Sequence, residues 1–151
     1  MDGYQISISH TKALAFAAFS DLPVGLDAEQ PRRVTQTLLQ RCLAPEELQI
    51  CLQSSEPRLT FLRFWTLKEA YVKYTGEGLR RIPNDLCFTL NGQTAELRGS
   101  PLFFRTLTVE DAIVSVCTAE PTEITVEPIF TLDNEIIRKT VKGETADGAA
   151  I

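Results

Sequence analysis

Two carboxylates two residues apart, in Val24-Gly25-Leu26-Asp27-Ala28-Glu29, are the first place in this sequence where chemistry could sit. On a strand, Asp27 and Glu29 project to one side while Leu26 and Ala28 face the other. Side by side they repel unless a cation neutralises them. A hard divalent ion such as Mg²⁺, held by one or two carboxylates together with substrate phosphates, would do so. Taken alone, such a pair is more often a solvated acidic strand end.

A second set lies on the apolar segment from Phe61 to Lys73. Leu62, Trp65, Glu69 and Val72 fall on one stripe at three-and-four spacing, which centres Glu69 in an apolar surface. Lys68 sits on the adjoining side between Phe61 and Phe64, and Lys73 follows one turn after Glu69. An ionised glutamate among Leu and Trp is costly unless it meets a cation or a partner. Two readings stay open. One is an intrahelical Glu69–Lys73 pair, worth about 0.3–0.5 kcal/mol if exposed. The other is a third metal carboxylate with lysines directed at phosphate, which the apolar flanks favour. A third set, Ser7-Ile8-Ser9-His10-Thr11, offers short donors and the chain's single imidazole at a strand end, suited to a phosphate oxygen. A Ser9–His10–Asp27 nucleophilic triad is disfavoured, because adjacent strand residues face opposite ways and no nucleophile-elbow pattern is present.

The elements that must position these groups are legible as strands, then helices, then strands, which indicates an α+β fold. Strands are expected over Tyr4 to Ser9, Ala13 to Ser20 and about Val24 to Glu29, with Asp21-Leu22-Pro23 as a turn. Short helices are expected at Thr35 to Arg41 and from Pro45, with Glu46 and Glu47 in a first turn where the helix dipole favours acids. The strongest helix runs from about Arg58 to Thr75 and stops at Gly76. Strands follow near Leu86–Leu90, Ala95–Arg98, Leu102–Val109, Ala112–Thr118 and Ile124–Phe130, with Asn91-Gly92 as a hairpin signal. The domain is expected to span 1–131, with 132–151 a polar, flexible tail.

Composition sets the class. A chain of 151 residues, 44% hydrophobic and 23% charged, reads as one soluble globular domain. No apolar run approaches the roughly 18 residues of a membrane span, and the N-terminus lacks the order of a signal peptide. A net charge of −5 disfavours a non-specific nucleic-acid binder. That charge lies wholly beyond residue 100, since the first hundred residues balance. Cys42, Cys51, Cys87 and Cys117 show no metal-ligand spacing and read as reduced, packed thiols of a cytoplasmic protein.

Together and in this order, Ile-Ser-His-Thr, Val-Gly-Leu-Asp-Ala-Glu and Phe-Trp-Thr-Leu-Lys-Glu-Ala-Tyr-Val-Lys-Tyr-Thr-Gly-Glu-Gly-Leu resemble the 4′-phosphopantetheinyl transferase superfamily. The resemblance covers about residues 4–130, including Ala112-Ile-Val-Ser-Val-Cys. It is nearest the larger type that activates peptide and polyketide synthetases. It implies an antiparallel sheet packed on a long central helix, equivalent to one half of that two-lobed type. It also implies an Mg²⁺-dependent transferase that moves phosphopantetheine from coenzyme A to a serine of an apo acyl or peptidyl carrier protein.

By this resemblance Asp27, Glu29 and Glu69 correspond to metal-binding carboxylates, Glu69 also being a base for the carrier serine. Lys73 corresponds to a lysine on the pyrophosphate and Lys68 to its neighbour in the signature. Ser9 and His10 correspond to a pair that touches the coenzyme A phosphates. Whether Glu69 is ligand, base or both stays open. An acidic carrier calls for a local basic face, for which Arg32, Arg33, Arg41, Arg80 and Arg81 are candidates.

The chain departs from the larger type in length. It matches the strands that precede the second half and then the second half itself. Three expectations follow: a transferase that completes its cleft by self-association, a relative that binds coenzyme A or a carrier without turnover, or a truncated product.

Overall fold

The computed structural model describes residues 3–78, 83–127, 129–132 and 135–138. Its contacts divide the chain into two units, Met1–Glu120 and Pro121–Ile151. The first unit opens with β1 (Gln5–His10) and β2 (Ala15–Ser20), an antiparallel ribbon in which Ile6 faces Phe19 and Ser9 faces Phe16. Next come β3 (Val24–Glu29), α1 (Gln36–Cys42), α2 (Pro45–Gln53) and α3 (Pro57–Thr75). A 3-10 turn at Pro83–Asp85 leads to β4 (Phe88–Asn91), β5 (Thr94–Leu97), β6 (Phe103–Val109) and β7 (Ala112–Thr118). The last five strands named form one sheet in the order β3-β7-β6-β5-β4, antiparallel throughout. The expected α+β architecture, with an antiparallel sheet on a long helix, is therefore the observed one.

Local signals act where the sequence places them. The Thr35 hydroxyl accepts the Leu38 N–H at the start of α1, and Pro45 opens α2. Gly76 ends α3 in the left-handed region at φ 72°, with its N–H on Val72 O. Gly92 at φ 60° turns β4 into β5; a residue with a Cβ is disfavoured there.

The core forms where α3 lies across β3 and β7. Phe61, Leu62, Phe64, Leu67 and Ala70 are fully buried against Phe88, Phe104, Ile113 and Cys117. Phe88 meets Phe104 edge-on at 4.8 Å between ring centres, the geometry that aromatic quadrupoles prefer. Inside this interface the hydroxyls of Thr66 and Ser115 bond at 2.7 Å, which satisfies two polar groups that burial would otherwise penalise.

One contact sets how closely helix and sheet approach. A Cβ on Gly25 would stand 2.0 Å from Ala70 O and 2.7 Å from Tyr74 N. The missing side chain thus lets the α3 backbone settle onto β3 directly beside Asp27.

In the second unit, β8 (Ile129–Leu132) and β9 (Glu135–Arg138) pair as an antiparallel hairpin. The sequence reading puts a strand at Ile124–Phe130 and a polar tail from residue 132; strand pairing instead begins later and continues past that boundary. Backbone hydrogen bonds between two short segments do not require the apolar alternation that the sequence reading relies on.

Candidate active site

The free edge of β3 is where the site is built. That strand pairs with β7 on one side, and on the other its amides meet serine hydroxyls from β1. Leu26 N–H donates to Ser7 Oγ at 2.9 Å and Ala28 N–H to Ser9 Oγ at 3.1 Å. Period-two alternation puts Ser7 and Ser9 inward and leaves Ile6, Ile8 and His10 exposed. The Ser9 hydroxyl then donates its own proton to Asp27 Oδ1 at 3.0 Å.

Asp27 is the centre of the arrangement. The Lys73 ammonium lies 2.9 Å from Asp27 Oδ1 and 3.2 Å from Ile8 O. One carboxylate oxygen therefore takes two donors, while Asp27 Oδ2 is buried with no partner. Glu29, on the same side of β3, accepts the Trp65 indole N–H at 3.3 Å, and Arg32 Nε lies 3.7 Å from its second oxygen. Glu69 is half-buried. Burial first, then the negative charges of Asp27 and Glu29, push its carboxyl above the usual carboxylate range, against the opposing pull of Lys73. Two like charges acting on Glu69 are the electrostatic sign that the three carboxylates share one neighbourhood. Among the described residues, no group of three or more His, Cys, Asp or Glu side chains is placed, as it stands, so that it could hold a metal ion.

A cleft of about 400 Å³ runs along this part of α3, bordered by Trp65, Lys68, Glu69, Val72, Lys73, Gly76 and Gly78, together with Pro83 and Leu86. Its mixture of apolar walls and a few convergent charges is the character of a ligand site.

The structure thus brings Asp27, Glu29, Glu69 and Lys73 together from two elements, and sets His10, exposed, at the end of the adjoining strand. It leaves neither the Lys68 ammonium nor the Ser9 hydroxyl free for a ligand, although Lys68 lines the cleft. Lys68 is 1% exposed and pairs at 2.5 Å with Glu47, which is 0% exposed. Burial pulls the Lys68 ammonium down and pushes the Glu47 carboxyl up, each opposed by the other's charge. The helical pattern puts Lys68 between two phenylalanines, and the physical consequence is that it points into the core with them. Ser9 is buried and its hydroxyl is committed to Asp27 and Ala28. Arg32, Arg33 and Arg41 are exposed; Arg80 and Arg81 lie outside the described residues.

Three participants were not singled out in the sequence: Ser7, Gly25 and Glu47. A glycine inside a strand does signal a close backbone approach. Glu47 stands at the third helical position, where a side chain can reach back to the Ala44 N–H; Glu46, one residue earlier, stays exposed and pairs with Arg98 at 3.1 Å.

Comparison with known proteins agrees with this geometry. The profile described as the 4′-phosphopantetheinyl transferase superfamily matches residues 23–117. The chain is 27% identical to 4′-phosphopantetheinyl transferase psf-1 of Bacillus pumilus, over 89% of this chain and 61% of that protein. It is 29% identical to 4′-phosphopantetheinyl transferase HetI of a Nostoc species, over 66% of this chain and 44% of that one. Against 4′-phosphopantetheinyl transferase Sfp of Bacillus subtilis it is 28% identical, over 76% of this chain and 55% of Sfp. The chain therefore spans about half the length of these relatives. Among solved structures, the holo-[acyl-carrier-protein] synthase of Thermotoga maritima shares the fold, with a TM-score of 0.56 at 19% identity, covering 74% of this chain and 70% of that one. With the matched region holding Asp27 and Glu29 on β3 and Glu69 and Lys73 on α3, the chain belongs to the 4′-phosphopantetheinyl transferase superfamily.

Proposed function

We propose that this protein transfers the 4′-phosphopantetheine group of coenzyme A to a serine hydroxyl of an apo acyl or peptidyl carrier protein. The observation that carries the reading is that Asp27 and Glu29 gather around Glu69 and Lys73, two residues that line the cleft, in a chain of this superfamily. In the reaction a new bond forms between the carrier serine oxygen and the phosphorus that bears the pantetheine. The pyrophosphate P–O bond breaks, and adenosine 3′,5′-bisphosphate leaves. Such transfers depend on positioning and charge neutralisation more than on covalent chemistry.

Each residue then has a task. Glu69 takes the serine proton. It lines the cleft beside Lys73, and burial, with Asp27 and Glu29, raises its carboxyl above the usual carboxylate range. Lys73, about one-third exposed, neutralises charge on the pyrophosphate of coenzyme A as its P–O bond breaks and the adenosine bisphosphate leaves. His10 faces the coenzyme A phosphates from the end of β1. Ser9 holds Asp27 rather than substrate.

The chemistry of these donors suits Mg²⁺. Hard carboxylate oxygens are its preferred ligands, and Asp27 Oδ2 is a buried acceptor without a donor. Asp27, Glu29 and Glu69 would hold the ion, which would neutralise charge on the pyrophosphate.

The carrier approaches the exposed Arg32, Arg33 and Arg41, and a cytoplasmic location accords with these substrates. Among the described residues no helix is long and apolar enough to cross a membrane. Self-association belongs to this reading as well: Tyr4, Ile6, Ile8 and Phe19 leave apolar surface exposed on the β1–β2 ribbon.

The test is incubation with Mg²⁺, coenzyme A and a panel of apo carriers, read by intact mass. A pantetheine-sized gain on the carrier is expected. Calorimetric binding of coenzyme A with no gain on any carrier would overturn the transferase reading and leave a binding protein. Light scattering on the eluting protein is expected to show an oligomer, and a clean monomer that is fully active would remove self-association from the account.

A further inference from the structure

Lys68 has three N–H donors, and the structure accounts for all three: Glu47 Oε2 at 2.5 Å, Cys42 O at 2.7 Å and Pro83 O at 2.8 Å. Glu47 is equally committed. Its Oε2 also accepts the Ala44 N–H at 2.9 Å, and its Oε1 accepts the Phe88 N–H at 2.7 Å. The pair thus gathers the end of α1, the start of α2, the middle of α3, the 3-10 turn and the first residue of β4. An ammonium in that setting has no donor left for a phosphate.

What the pair does hold is the wall of the cleft. Pro83 and Leu86 border the cleft together with Glu69 and Lys73. They lie between two pinned backbone groups, the Pro83 carbonyl held by Lys68 and the Phe88 amide held by Glu47. We infer that Lys68 and Glu47 are positioning residues, which together set the Pro83–Leu86 wall of the coenzyme A cleft and donate no hydrogen bond to the substrate. This rests on the transferase reading. It departs from the role that the resemblance implies for Lys68.

The discriminating observation is whether Lys68 needs Glu47. Glu47 borders no part of the cleft, so its substitution affects coenzyme A only through the wall. Binding of coenzyme A to the full chain with Mg²⁺ is measured by calorimetry for wild type, Glu47→Gln, Lys68→Met and the double variant, with the fluorescence of Trp65 reporting the fold. Each single substitution is expected to weaken binding about tenfold, and the double substitution no more than the worse single one, because residues acting as one unit are non-additive. A Glu47→Gln protein that binds within about twofold of wild type, or losses that multiply in the double variant, would overturn the inference.

A measurement on the wild type covers variants that fail to fold. In ¹H–¹⁵N spectra the Lys68 ammonium is expected to be protected from exchange and to stay unmoved when coenzyme A is added, while that of Lys73 shifts. A Lys68 signal that exchanges freely, or moves as far as that of Lys73, would overturn the proposal. Failure of the wild type to bind coenzyme A at all would instead sink the transferase reading, and that is seen before any variant is compared.

Discussion

The Lys73 ammonium lies 2.9 Å from Asp27 Oδ1, joining residues 46 positions apart in the chain. Because Ser9 donates to the same oxygen, one carboxylate oxygen of Asp27 is held twice and the other not at all. That leaves Oδ2 as a buried acceptor without a partner, on a carboxylate whose charge, with that of Glu29, acts on Glu69.

Asp27→Asn keeps the shape of the side chain and removes its charge. Carrier modification is expected to fall by about 10²-fold or more, the usual cost of losing a preorganised electrostatic contact. The rate of mass gain on the carrier measures it. A variant within a few-fold of wild type would mean that the charge of Asp27 is not used.

Glu69→Gln removes a base and leaves a neutral group of the same size. About 10²–10⁴-fold loss of turnover is expected, the range for general-base catalysis. Stability to urea should be retained or rise, since the substitution relieves repulsion from Asp27 and Glu29. A large drop in the urea midpoint with normal turnover would assign Glu69 to structure.

Gly25→Ala places a methyl group 2.0 Å from the Ala70 carbonyl oxygen, a backbone atom that cannot swing aside. Overpacking of this kind costs about 1–3 kcal/mol or more. Separation of β3 from α3 should also reduce activity beyond the unfolded fraction, because Asp27 and Glu69 ride on the two elements that are forced apart. Chemical denaturation and specific activity at low temperature separate the two effects. A stable, active Gly25→Ala protein would contradict the close approach.

Stability should fall as pH rises above about 9. Burial pushes all four thiols up, Cys117 to about 12. Between a thiol's ordinary value and its folded one, the unfolded chain releases a proton that the folded chain keeps. The contribution is therefore intact below about 9 and lost as pH climbs. Each pH unit in that window removes about 1.4 kcal/mol per thiol held neutral. Urea midpoints measured from pH 8 to 11, with Cys117→Ser and wild type compared, would check it; a wild-type slope of zero would contradict the burial of these groups. Alkylation should begin at half-buried Cys87 and reach Cys51 and Cys117 only through unfolding.

Much of this protein was legible as a sequence because its signals are local. Period-two alternation separates Asp27 and Glu29 from Leu26 and Ala28, three-and-four spacing centres Glu69 on its stripe, and Gly76 stops the helix without help from distant residues. The motif order carried the family. Tertiary structure decided which polar groups are left for chemistry. Lys68 and Lys73 are both lysines on one helix, yet the first meets a buried carboxylate and two carbonyls while the second stays one-third exposed beside Asp27. Likewise Ser9 and His10 are neighbours, and only the fold commits one hydroxyl to the β3 edge while leaving the imidazole exposed. Hydrogen-bond capacity is finite, and what consumes it comes from elements far away in the chain, so sequence spacing sets where a side chain can point and the packed structure sets whether any donor remains when it gets there.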